Sequence, residues 1–437
     1  MIRDKQKESM PRSETEQLQL ERLQAMLNRL YSEVGFYRNL LDSVGLTPSE
    51  FRSLDQLALL PFTQKETLRD NYPYGLFAVP LREIVRIQAS SGTTGQPVVT
   101  GYTRNDIRHW TELVARVFCA AGVMRDDVVQ ICLDYGLFSG GLGFHYGAEE
   151  IGASVIPAST FNPEGQMDIM QHYRTTALVS VPTYAVRLLR AAKDGNIPPQ
   201  ELSLKTVILT GEPWPETVRE RIEHGFHVRA FDAYGVSEVM GPGVSYECEE
   251  RDGLHISEDH FVAEVVEPRT GEVLPDGEEG ELVLTTITKE AFPLLRYRTG
   301  DLTAIDRGAC SCGRATARMK KVAGRVDDAV FVQGKSVFPS HVEQILQSVE
   351  GVEPHFQILV DKSGTAAELR VRVEMDKRIF SDEMRVLAEL KRNIERKIEE
   401  TLGVVAAVSL VEPRSLEKEQ AKVKVINGNE QNEREGR

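Results

Sequence analysis

Five short apolar runs, each too short for a helix, recur along the first half of the chain. They cover residues 128–133, 154–156, 177–181, 206–209 and 228–231, and the segments between them are long enough to hold helices. Strands that alternate with helices are typical of a mostly parallel α/β sheet. Ligands of such sheets gather beyond the carboxyl ends of the strands, so we expect functional residues to follow these runs.

Two further units follow the predicted sheet. Beyond Gly243, alternating apolar residues and turn signals predict a β-rich subdomain. Beyond Gly324, strands and two helices predict a small α+β unit, whose longer helix has Ser381 as N-cap and ends at Gly403. The predicted organisation is an N-terminal domain over 1–324, a hinge over 325–328 and a mobile C-terminal lid over 329–437.

Charge and composition exclude several classes of protein. The chain has 52 Lys and Arg against 66 Asp and Glu, a net charge of −14, which disfavours a nucleic-acid partner or an anionic membrane surface. No segment approaches the roughly 20 apolar residues that span a bilayer, and the polar start is unlike a secretory signal. Five cysteines are too few and odd in number for a disulfide framework. We therefore expect a cytoplasmic protein without a membrane span.

The segment Ser90–Pro97, with the sequence SSGTTGQP, is a candidate phosphate-binding loop. Its glycines let the backbone approach a ligand closely, and its hydroxyl and amide groups can surround phosphate oxygens. It is not a Walker A loop, because no Gly-Lys-Ser/Thr follows. If this segment stood alone, a solvated turn would be the simpler interpretation. The other motifs of the chain therefore decide between a phosphate-binding loop and a solvated turn.

Four more motifs favour a nucleotide site, and two of them, Tyr234–Gly243 and Gly211–Trp214, follow predicted strands. Tyr234–Gly243 offers an aromatic ring that can stack on a base, and Glu238 within it can hold Mg²⁺. Asp301 suits ribose hydroxyls, and Arg325 offers a cation for phosphate at a turn. Each motif alone would more often be a structural turn or a surface ion pair. In this order, together with Gly211–Trp214, they indicate one nucleotide site.

These motifs resemble the adenylate-forming (acyl-CoA synthetase) superfamily, and within it the chain is similar to the phenylacetate-CoA ligase family. The similarity runs from roughly Leu20 to Ile426, through the strings FYRNLLDSVGL, SSGTTGQP, GEPWPE, YGVSEVMGPGV, LLRYRTGDLT and GRVDDAVFVQGKSVFPS. It implies a large multi-layer α/β domain with a small mobile α+β domain. It also implies ATP-dependent ligation of an acid to coenzyme A through an acyl-adenylate, with release of AMP and pyrophosphate.

The similarity implies a role for each residue that matches a motif. Glu238 would bind Mg²⁺, Asp328 would be the hinge, and Gly334 would border the tunnel for the pantetheine arm of coenzyme A. Arg325 would contact phosphate or ribose oxygens and belongs to the predicted catalytic set with Glu238 and Lys418. The remaining nucleotide-binding residues would be Ser90, Ser91, Gly92, Thr93, Thr94, Gly95, Gly211, Glu212, Pro213, Asp232, Ala233, Tyr234, Gly235, Ser237 and Asp301.

The predicted acid-binding residues are Tyr135, Phe138, Gly141, His145 and Gly235. They join aromatic rings to glycines, as a flat aromatic acid requires. A glycine-rich loop that packs its own aromatic rings explains any single residue of this set nearly as well. Phenylacetate is the default substrate, and benzoate-like or short aliphatic acids stay open.

The predicted catalytic lysine lies in a segment that departs from the family pattern Ser-x-Gly-Lys. If the segment is aligned from the upstream Pro-Arg-Ser, Lys418 falls at the position of the family lysine, and Glu417 replaces the family glycine. If it is aligned on residues 421–426 instead, Gln420 falls at the lysine position. A lysine there would reduce repulsion between the substrate carboxylate and the α-phosphate. If neither Lys418 nor Lys422 enters the site, adenylation would be slow while thioester formation from a preformed adenylate persists.

Three thiols and one imidazole, at Cys248, His255, Cys310 and Cys312, match the composition of a closed structural Zn²⁺ site. Two alternatives stay open: ordinary reduced thiols with His255 in a turn, or His260 as the fourth ligand.

The expected cofactors and substrates are therefore ATP, Mg²⁺, coenzyme A and an aryl acid, with Zn²⁺ as a structural ion. Two other functions stay open: an adenylating enzyme that passes the acyl group to a carrier protein or an amine, and a nucleotide- or adenylate-binding protein with weak turnover. A homodimer is left open as well.

Overall fold

The computed structural model describes most of the chain, namely residues 1–89, 97–137, 140–333, 335–347, 349, 352–361, 368–375, 384–412, 415–416 and 423–426. Nine predicted site residues lie outside these ranges: Ser90, Ser91, Gly92, Thr93, Thr94, Gly95, Phe138, Gly334 and Lys418. The described residues form two compact units. The first comprises Met1–Thr299 and Thr303–Lys321, and the second Gly300–Leu302 and the described residues from Val322 onward. The domain boundary at 324 and the hinge over 325–328 stay predictions.

The helices of the described residues are α1 Lys5–Glu8, α2 Arg12–Glu33, α3 Gly35–Ser43, α4 Lys65–Asp70, α5 Arg104–Ala120, α6 Gly140–Glu150, α7 Pro163–His172, α8 Pro182–Asp194, α9 Glu216–Phe226, α10 Pro339–Gln347 and α11 Met384–Leu402. The strands are β1 Arg86–Ala89, β2 Val99–Tyr102, β3 Val128–Cys132, β4 Ser154–Ile156, β5 Ala177–Ser180, β6 Thr206–Thr210, β7 Arg229–Val236, β8 Gly241–Glu247, β9 Leu254–Ile256, β10 Phe261–Val266, β11 Gly280–Thr286, β12 Tyr297–Thr303, β13 Ile305–Asp306, β14 Arg318–Met319, β15 Gly324–Arg325, β16 Val330–Val332, β17 Lys335–Val337, β18 Val352–Asp361, β19 Glu368–Met375, β20 Ala406–Val411 and β21 Val423–Ile426.

The first unit is built on a mixed sheet with the order β13-β14-β9-β8-β7-β6-β5-β3-β4. The strands from β4 to β7 pair in parallel, as the alternation of apolar runs and helical segments predicts. β8, β9 and β14 then continue the sheet with antiparallel pairing. The strand predicted to end at Phe231 continues to Val236 as β7, because pairing with β8 covers its polar second half.

Helices α7, α8 and α9 cover part of this sheet through a shared apolar core that includes Met170, Leu188, Ile222 and Phe226. Leu188 and Ile222 are fully buried, and burial of one such side chain contributes about 1.5–3 kcal/mol. Pro182 occupies the first turn of α8, where a missing backbone N–H costs no helical hydrogen bond. The sequence of each helix thus supplies one apolar stripe that faces the sheet.

Helices α5 and α6 pack unusually close together because α6 carries glycines where they touch. A Cβ on Gly143 would lie 2.4 Å from the Trp110 ring, and one on Gly147 would lie 2.6 Å from the Val114 side chain. The glycines that the sequence suggests for a ligand pocket are therefore also required for packing. This close contact fixes the position of the α6 segment that carries His145.

The predicted β-rich subdomain contains the antiparallel pair β10 and β11, in register from Phe261 opposite Thr286 to Val266 opposite Glu281. In the second unit, β12 and β15 pair at Asp301 and Arg325. A separate sheet of that unit has the order β20-β19-β18-β21, and helices α10 and α11 share its core. Helix α11 ends at Leu402 before Gly403, whose φ of +63° is the left-handed stop that the sequence predicts.

Candidate active site

The loop after β6 turns sharply away from the sheet. Gly211 has a φ of +81°, a conformation that residues with a Cβ rarely adopt. The next carboxylate, Glu212, accepts hydrogen bonds from the backbone N–H of Thr183 at 3.1 Å and from its hydroxyl at 2.9 Å. Glu212 therefore holds the loop against the N-terminus of α8, and this contact already engages its carboxylate.

The second half of β7 carries the residues predicted to surround adenine. Ala233 lies opposite Tyr246 and Tyr234 opposite Ser245, and the register with β8 shifts between Tyr234 and Gly235. A Cβ on Gly235 would lie 2.2 Å from the carbonyl oxygen of Gly241. Only a glycine fits at this position, because any side chain would clash with the backbone of Gly241.

Asp232 is held in a fixed network at the centre of the sheet. Its backbone N–H donates to Oε2 of Glu247 at 2.7 Å, and Arg219 binds both oxygens of Glu247 at 2.7 and 2.9 Å. Burial, together with the Glu247 charge, raises the pKa of Asp232 to about 7, against the opposing charge of Lys321. Its carboxyl group is therefore partly protonated at neutral pH. It can either donate a hydrogen bond to a nucleotide base or accept one from it.

Glu238, the predicted Mg²⁺ ligand, lies in the turn between β7 and β8. It is 8% exposed, and the turn is closed by hydrogen bonds from the N–H groups of Val239 and Met240 to Val236 O. The hydroxyl of Tyr102 donates to Met240 O at 3.0 Å and fixes the turn from one side. Glu238 is thus carried by a rigid hairpin.

A buried lysine beneath this hairpin escaped the sequence analysis. The Nζ atom of Lys289 lies 3.3 Å from the ring centre of Tyr102 and 3.7 Å from Sδ of Met240. Burial lowers the pKa of Lys289 to about 7, although the charge of Asp106 opposes the shift. In the sequence Lys289 lies between Thr288 and Glu290, and this polar step does not mark the lysine as buried.

Three of the predicted acid-binding residues lie close together. The hydroxyl of Tyr135 is 3.3 Å from Nδ1 of His145, and Nε2 of His145 is 3.2 Å from a carboxylate oxygen of Glu149. Burial raises the pKa of Tyr135 above its usual value. A Cβ on Gly141 would lie 2.4 Å from the carbonyl of Asp134, so α6 can begin here only with a glycine. The chain therefore presents a Tyr-His-Glu series where an acid pocket is predicted.

In the second unit, the two predicted ribose and phosphate residues contact each other directly. Nη1 of Arg325 donates to Oδ1 of Asp301 at 2.6 Å, and Nη2 lies 3.4 Å from Asp327. Gly300 has a φ of +77°, and a Cβ there would lie 2.8 Å from Arg325 Nη2. Asp328, the predicted hinge, ends the short 3₁₀ turn Val326–Asp328 that follows.

Four metal-ligand side chains converge elsewhere in the first unit. Ligand atoms of Cys248, His255, Cys310 and Cys312 all lie within 4.8 Å of one another. Burial, assisted by the Arg314 charge, lowers the pKa of His255 to about 4, so the neutral imidazole dominates at neutral pH.

The alternative prediction, with His260 as the fourth ligand, is wrong, because His260 does not belong to this cluster. Its Nδ1 atom pairs with the hydroxyl of Thr288 at 2.7 Å, and its Nε2 atom lies 3.3 Å from Asp259. Both ring nitrogens of His260 are therefore engaged in a different network.

The chain matches two family models: "AMP-binding enzyme" over residues 17–288 and "AMP-binding enzyme C-terminal domain" over residues 334–429. It is 46% identical to the phenylacetate-coenzyme A ligase of Thermus thermophilus, covering 93% of this chain and 94% of that protein. It is 40% identical to the phenylacetate-coenzyme A ligase of Escherichia coli, covering 94% and 93%.

Among solved structures, the fold is similar to a 2-hydroxyisobutyryl-CoA ligase in its postadenylation state, in complex with an acyl-AMP. The TM-score is 0.82 at 26% identity, and the match covers 97% of this chain and 92% of the other. Within the described residues, no helix is both long and apolar enough to cross a bilayer.

Proposed function

Because the chain belongs to the phenylacetate-CoA ligase family of AMP-binding enzymes, we propose that it joins phenylacetate, or a close aryl acid, to coenzyme A with the use of ATP. The substrate carboxylate attacks the α-phosphate of ATP, which releases pyrophosphate and leaves an acyl-adenylate. The thiol of coenzyme A then attacks the acyl carbon and displaces AMP. The proposal rests on sequence identities of 46% and 40% with two phenylacetate-CoA ligases, over 93% and 94% of this chain.

The first unit supplies the nucleotide site in this proposal. Tyr234 and the loop 211–213 would flank adenine, and Glu238, in the turn between β7 and β8, would be the carboxylate that holds Mg²⁺. A bound Mg²⁺ ion would offset charge on the phosphates of ATP. The hydroxyl-rich loop at Ser90–Gly95 would surround the β- and γ-phosphates, and this part rests on the sequence motif alone.

The acid site in this proposal is formed around Tyr135 and His145. The Tyr-His-Glu series that ends at Glu149 would fix the orientation of the imidazole, and the close packing of Gly141 against Asp134 would hold the start of α6 beside it. Gly235, at the irregular step in β7, would border the same acid. A small aryl acid is the class of substrate that this combination of rings and glycines fits best.

The family similarity assigns the remaining contacts to Asp301, Arg325, Asp328, Gly334 and Lys418. Asp301 would bind the ribose hydroxyls, and its partner Arg325 would contact phosphate or ribose oxygens. Asp328 would act as the hinge on which the C-terminal unit moves between the two half-reactions, with Gly334 then bordering the pantetheine tunnel. Lys418 would approach the α-phosphate during adenylation only.

The test uses the purified protein with ATP, Mg²⁺ and phenylacetate, with and without coenzyme A. We expect pyrophosphate release with the acid, and AMP and phenylacetyl-CoA in equal amounts once coenzyme A is added. AMP formed at the same rate without coenzyme A would favour a carrier-protein or amine acceptor. ATP binding measured by calorimetry, with no pyrophosphate from a panel of acids, would favour a binding protein.

We further propose which metals the protein uses, in which compartment it works and how many subunits it has. Mg²⁺ takes part in the reaction, whereas the predicted Zn²⁺ would be structural. None of the five cysteines forms a disulfide, which fits a reducing compartment, and we place the reaction in the cytoplasm. A homodimer would show as twice the chain mass of 48.9 kDa in light scattering.

A further inference from the structure

The four metal-ligand side chains come from three separate parts of the fold. Cys248 directly follows β8, His255 lies in β9, and Cys310 and Cys312 lie in the loop between β13 and β14. The strands β8, β9, β14 and β13 are neighbours in the sheet, so long-range pairing brings the segments together. Side chains that converge from distant positions on one point indicate a shared ligand rather than a local turn.

Two distances within the cluster match those around one tetrahedral ion. The Sγ atoms of Cys248 and Cys310 are 3.8 Å apart, and Sγ of Cys312 is 3.4 Å from Nε2 of His255. With Zn–S bonds of about 2.3 Å and Zn–N bonds of about 2.0 Å, tetrahedral angles separate two sulfurs by about 3.8 Å and a sulfur from a nitrogen by about 3.5 Å. Two of the six distances between the four atoms therefore match a zinc-centred tetrahedron, and all six lie within 4.8 Å.

Neighbouring side chains orient the ligands. Nδ1 of His255 is 3.0 Å from the hydroxyl of Thr316, which directs Nε2 toward the thiols. Nη1 of Arg314 lies 3.6 Å from Sγ of Cys312. Three thiolates around one Zn²⁺ carry a net charge of −1, and the guanidinium of Arg314 offsets it.

The loop that carries two of the thiols is also the surface on which the start of the chain rests. The hydroxyl of Ser9 donates to Gly313 O at 2.9 Å, and the N–H of Ala315 donates to Glu8 O at 2.8 Å. Arg314 donates from Nε to the carboxylate of Glu8 at 2.6 Å and from Nη2 to Met1 O at 2.6 Å. Glu8 is fully buried, so this contact depends on a fixed position of the loop.

We propose that Cys248, His255, Cys310 and Cys312 bind one Zn²⁺ ion that fixes the 310–313 loop, and that this loop in turn seats residues 1–9 on the first unit. All four positions of the ion are taken by protein atoms, so it has no open site for a substrate and its role is structural.

The first test is the metal content of the full-length protein purified without chelator, measured by inductively coupled plasma mass spectrometry. We expect about one zinc per chain. Less than about half an equivalent, or iron in its place, would overturn the zinc assignment. Replacement by Co²⁺ should add visible absorption bands and a thiolate charge-transfer band in the near ultraviolet, both typical of tetrahedral sulfur ligation.

The second test combines the variant Cys312→Ala with limited trypsin digestion. We expect the variant to lose most of its zinc and to be cut at Lys5, Lys7 or Arg12 at least tenfold faster than the wild type. Cys132→Ser is the matched control, because Cys132 is a buried thiol outside the cluster; it should keep its zinc and its cleavage rate.

A zinc-free variant with an unchanged cleavage rate would overturn the seating of residues 1–9. If Cys312→Ala fails to fold, wild-type protein stripped with a chelator takes its place, and restoring zinc should restore protection. Stripped protein that stays protected would contradict the proposal in the same way.

Discussion

Arg325 donates a 2.6 Å hydrogen bond to the carboxylate of Asp301, and the two residues lie directly opposite each other on paired strands of the second unit. Side chains 24 positions apart in sequence are thus already oriented by backbone pairing. An ordered carboxylate and guanidinium would lose little conformational entropy on binding the nucleotide that we propose for them. This relationship leads to the first of five predictions.

Arg325→Lys should weaken the use of ATP while leaving the fold intact. Lysine keeps the charge but lacks the planar group that can hold Asp301 and a phosphate or ribose oxygen together. We expect kcat/KM for ATP to fall at least tenfold in a pyrophosphate-release assay. Arg370→Lys is the control, since Arg370 is an exposed side chain of the same unit paired to Glu368. Equal activity in both variants would remove Arg325 from the site.

Glu238→Gln should impair adenylation more than thioester formation. The substitution keeps the shape of the side chain but removes the charge that a hard cation such as Mg²⁺ requires. We expect a loss of about 10²-fold in pyrophosphate release, partly recovered at high Mg²⁺. Thioester formation from a supplied acyl-adenylate should change much less. The exposed Glu249→Gln serves as the control, and a Mg²⁺ dependence identical to that of the control would contradict the assignment.

Gly235→Ala should disturb the β7–β8 hairpin and the activity together. The new methyl group would lie 2.2 Å from the carbonyl oxygen of Gly241, and backbone cannot move aside as a flexible side chain can. Overpacking of this kind costs about 1–3 kcal/mol in unfolding free energy. At Gly35, by contrast, nothing lies within 4 Å of an added Cβ, so Gly35→Ala should leave stability and activity unchanged. Urea denaturation of both variants measures the difference.

Lys289→Met should change how stability depends on pH. In the unfolded chain the lysine holds its proton up to about pH 10.5, whereas burial in the folded protein lowers its pKa to about 7. Between these values the unfolded state binds more protons, so the lysine makes unfolding free energy rise with pH. The methionine variant lacks this contribution.

The wild type should therefore gain stability relative to Lys289→Met by up to about 1.4 kcal/mol per pH unit from pH 7 to 10. The methionine variant should be the more stable protein at pH 7, because it buries no ammonium group. Urea titrations at several pH values measure both quantities. A constant difference across this range would show that Lys289 keeps its proton when the protein is folded.

Lys418→Ala should separate the two half-reactions. If Lys418 supplies the positive charge near the α-phosphate, the variant should lose pyrophosphate release by at least 10²-fold and still form the thioester from a supplied adenylate. Lys422→Ala is the matched comparison four residues away. A loss confined to Lys422→Ala would move the catalytic role to that lysine.

Local sequence signals predicted the class of fold and several side-chain groupings well. The runs at β3, β4, β5 and β6 were found nearly to the residue, because parallel buried strands are short, apolar and bounded by turns. The grouping of Cys248, His255, Cys310 and Cys312 was predicted from ligand type alone, and the structure brings these side chains together.

Several other features that depend on pairing between distant segments could not be predicted. β7 runs five residues past Phe231 because β8 pairs with it, and the sequence from Asp232 onward gives no sign of this partner. The carboxylate of Glu212 caps α8 through Thr183, a contact 29 residues apart. Lys289 lies under Tyr102 for the same reason, since composition cannot show which ring a lysine will meet.

The placement of the native thiols, by burial or within the metal-ligand cluster, has a practical consequence for spectroscopy. Cys119 and Cys132 are buried in α5 and β3, and the other three thiols would be ligands of the proposed metal. A cysteine introduced on the surface of each unit would then be the only fast-reacting thiol there. A fluorescent dye could be attached to such a cysteine without removing any native cysteine, and its emission would report changes in the surroundings of the label through a turnover.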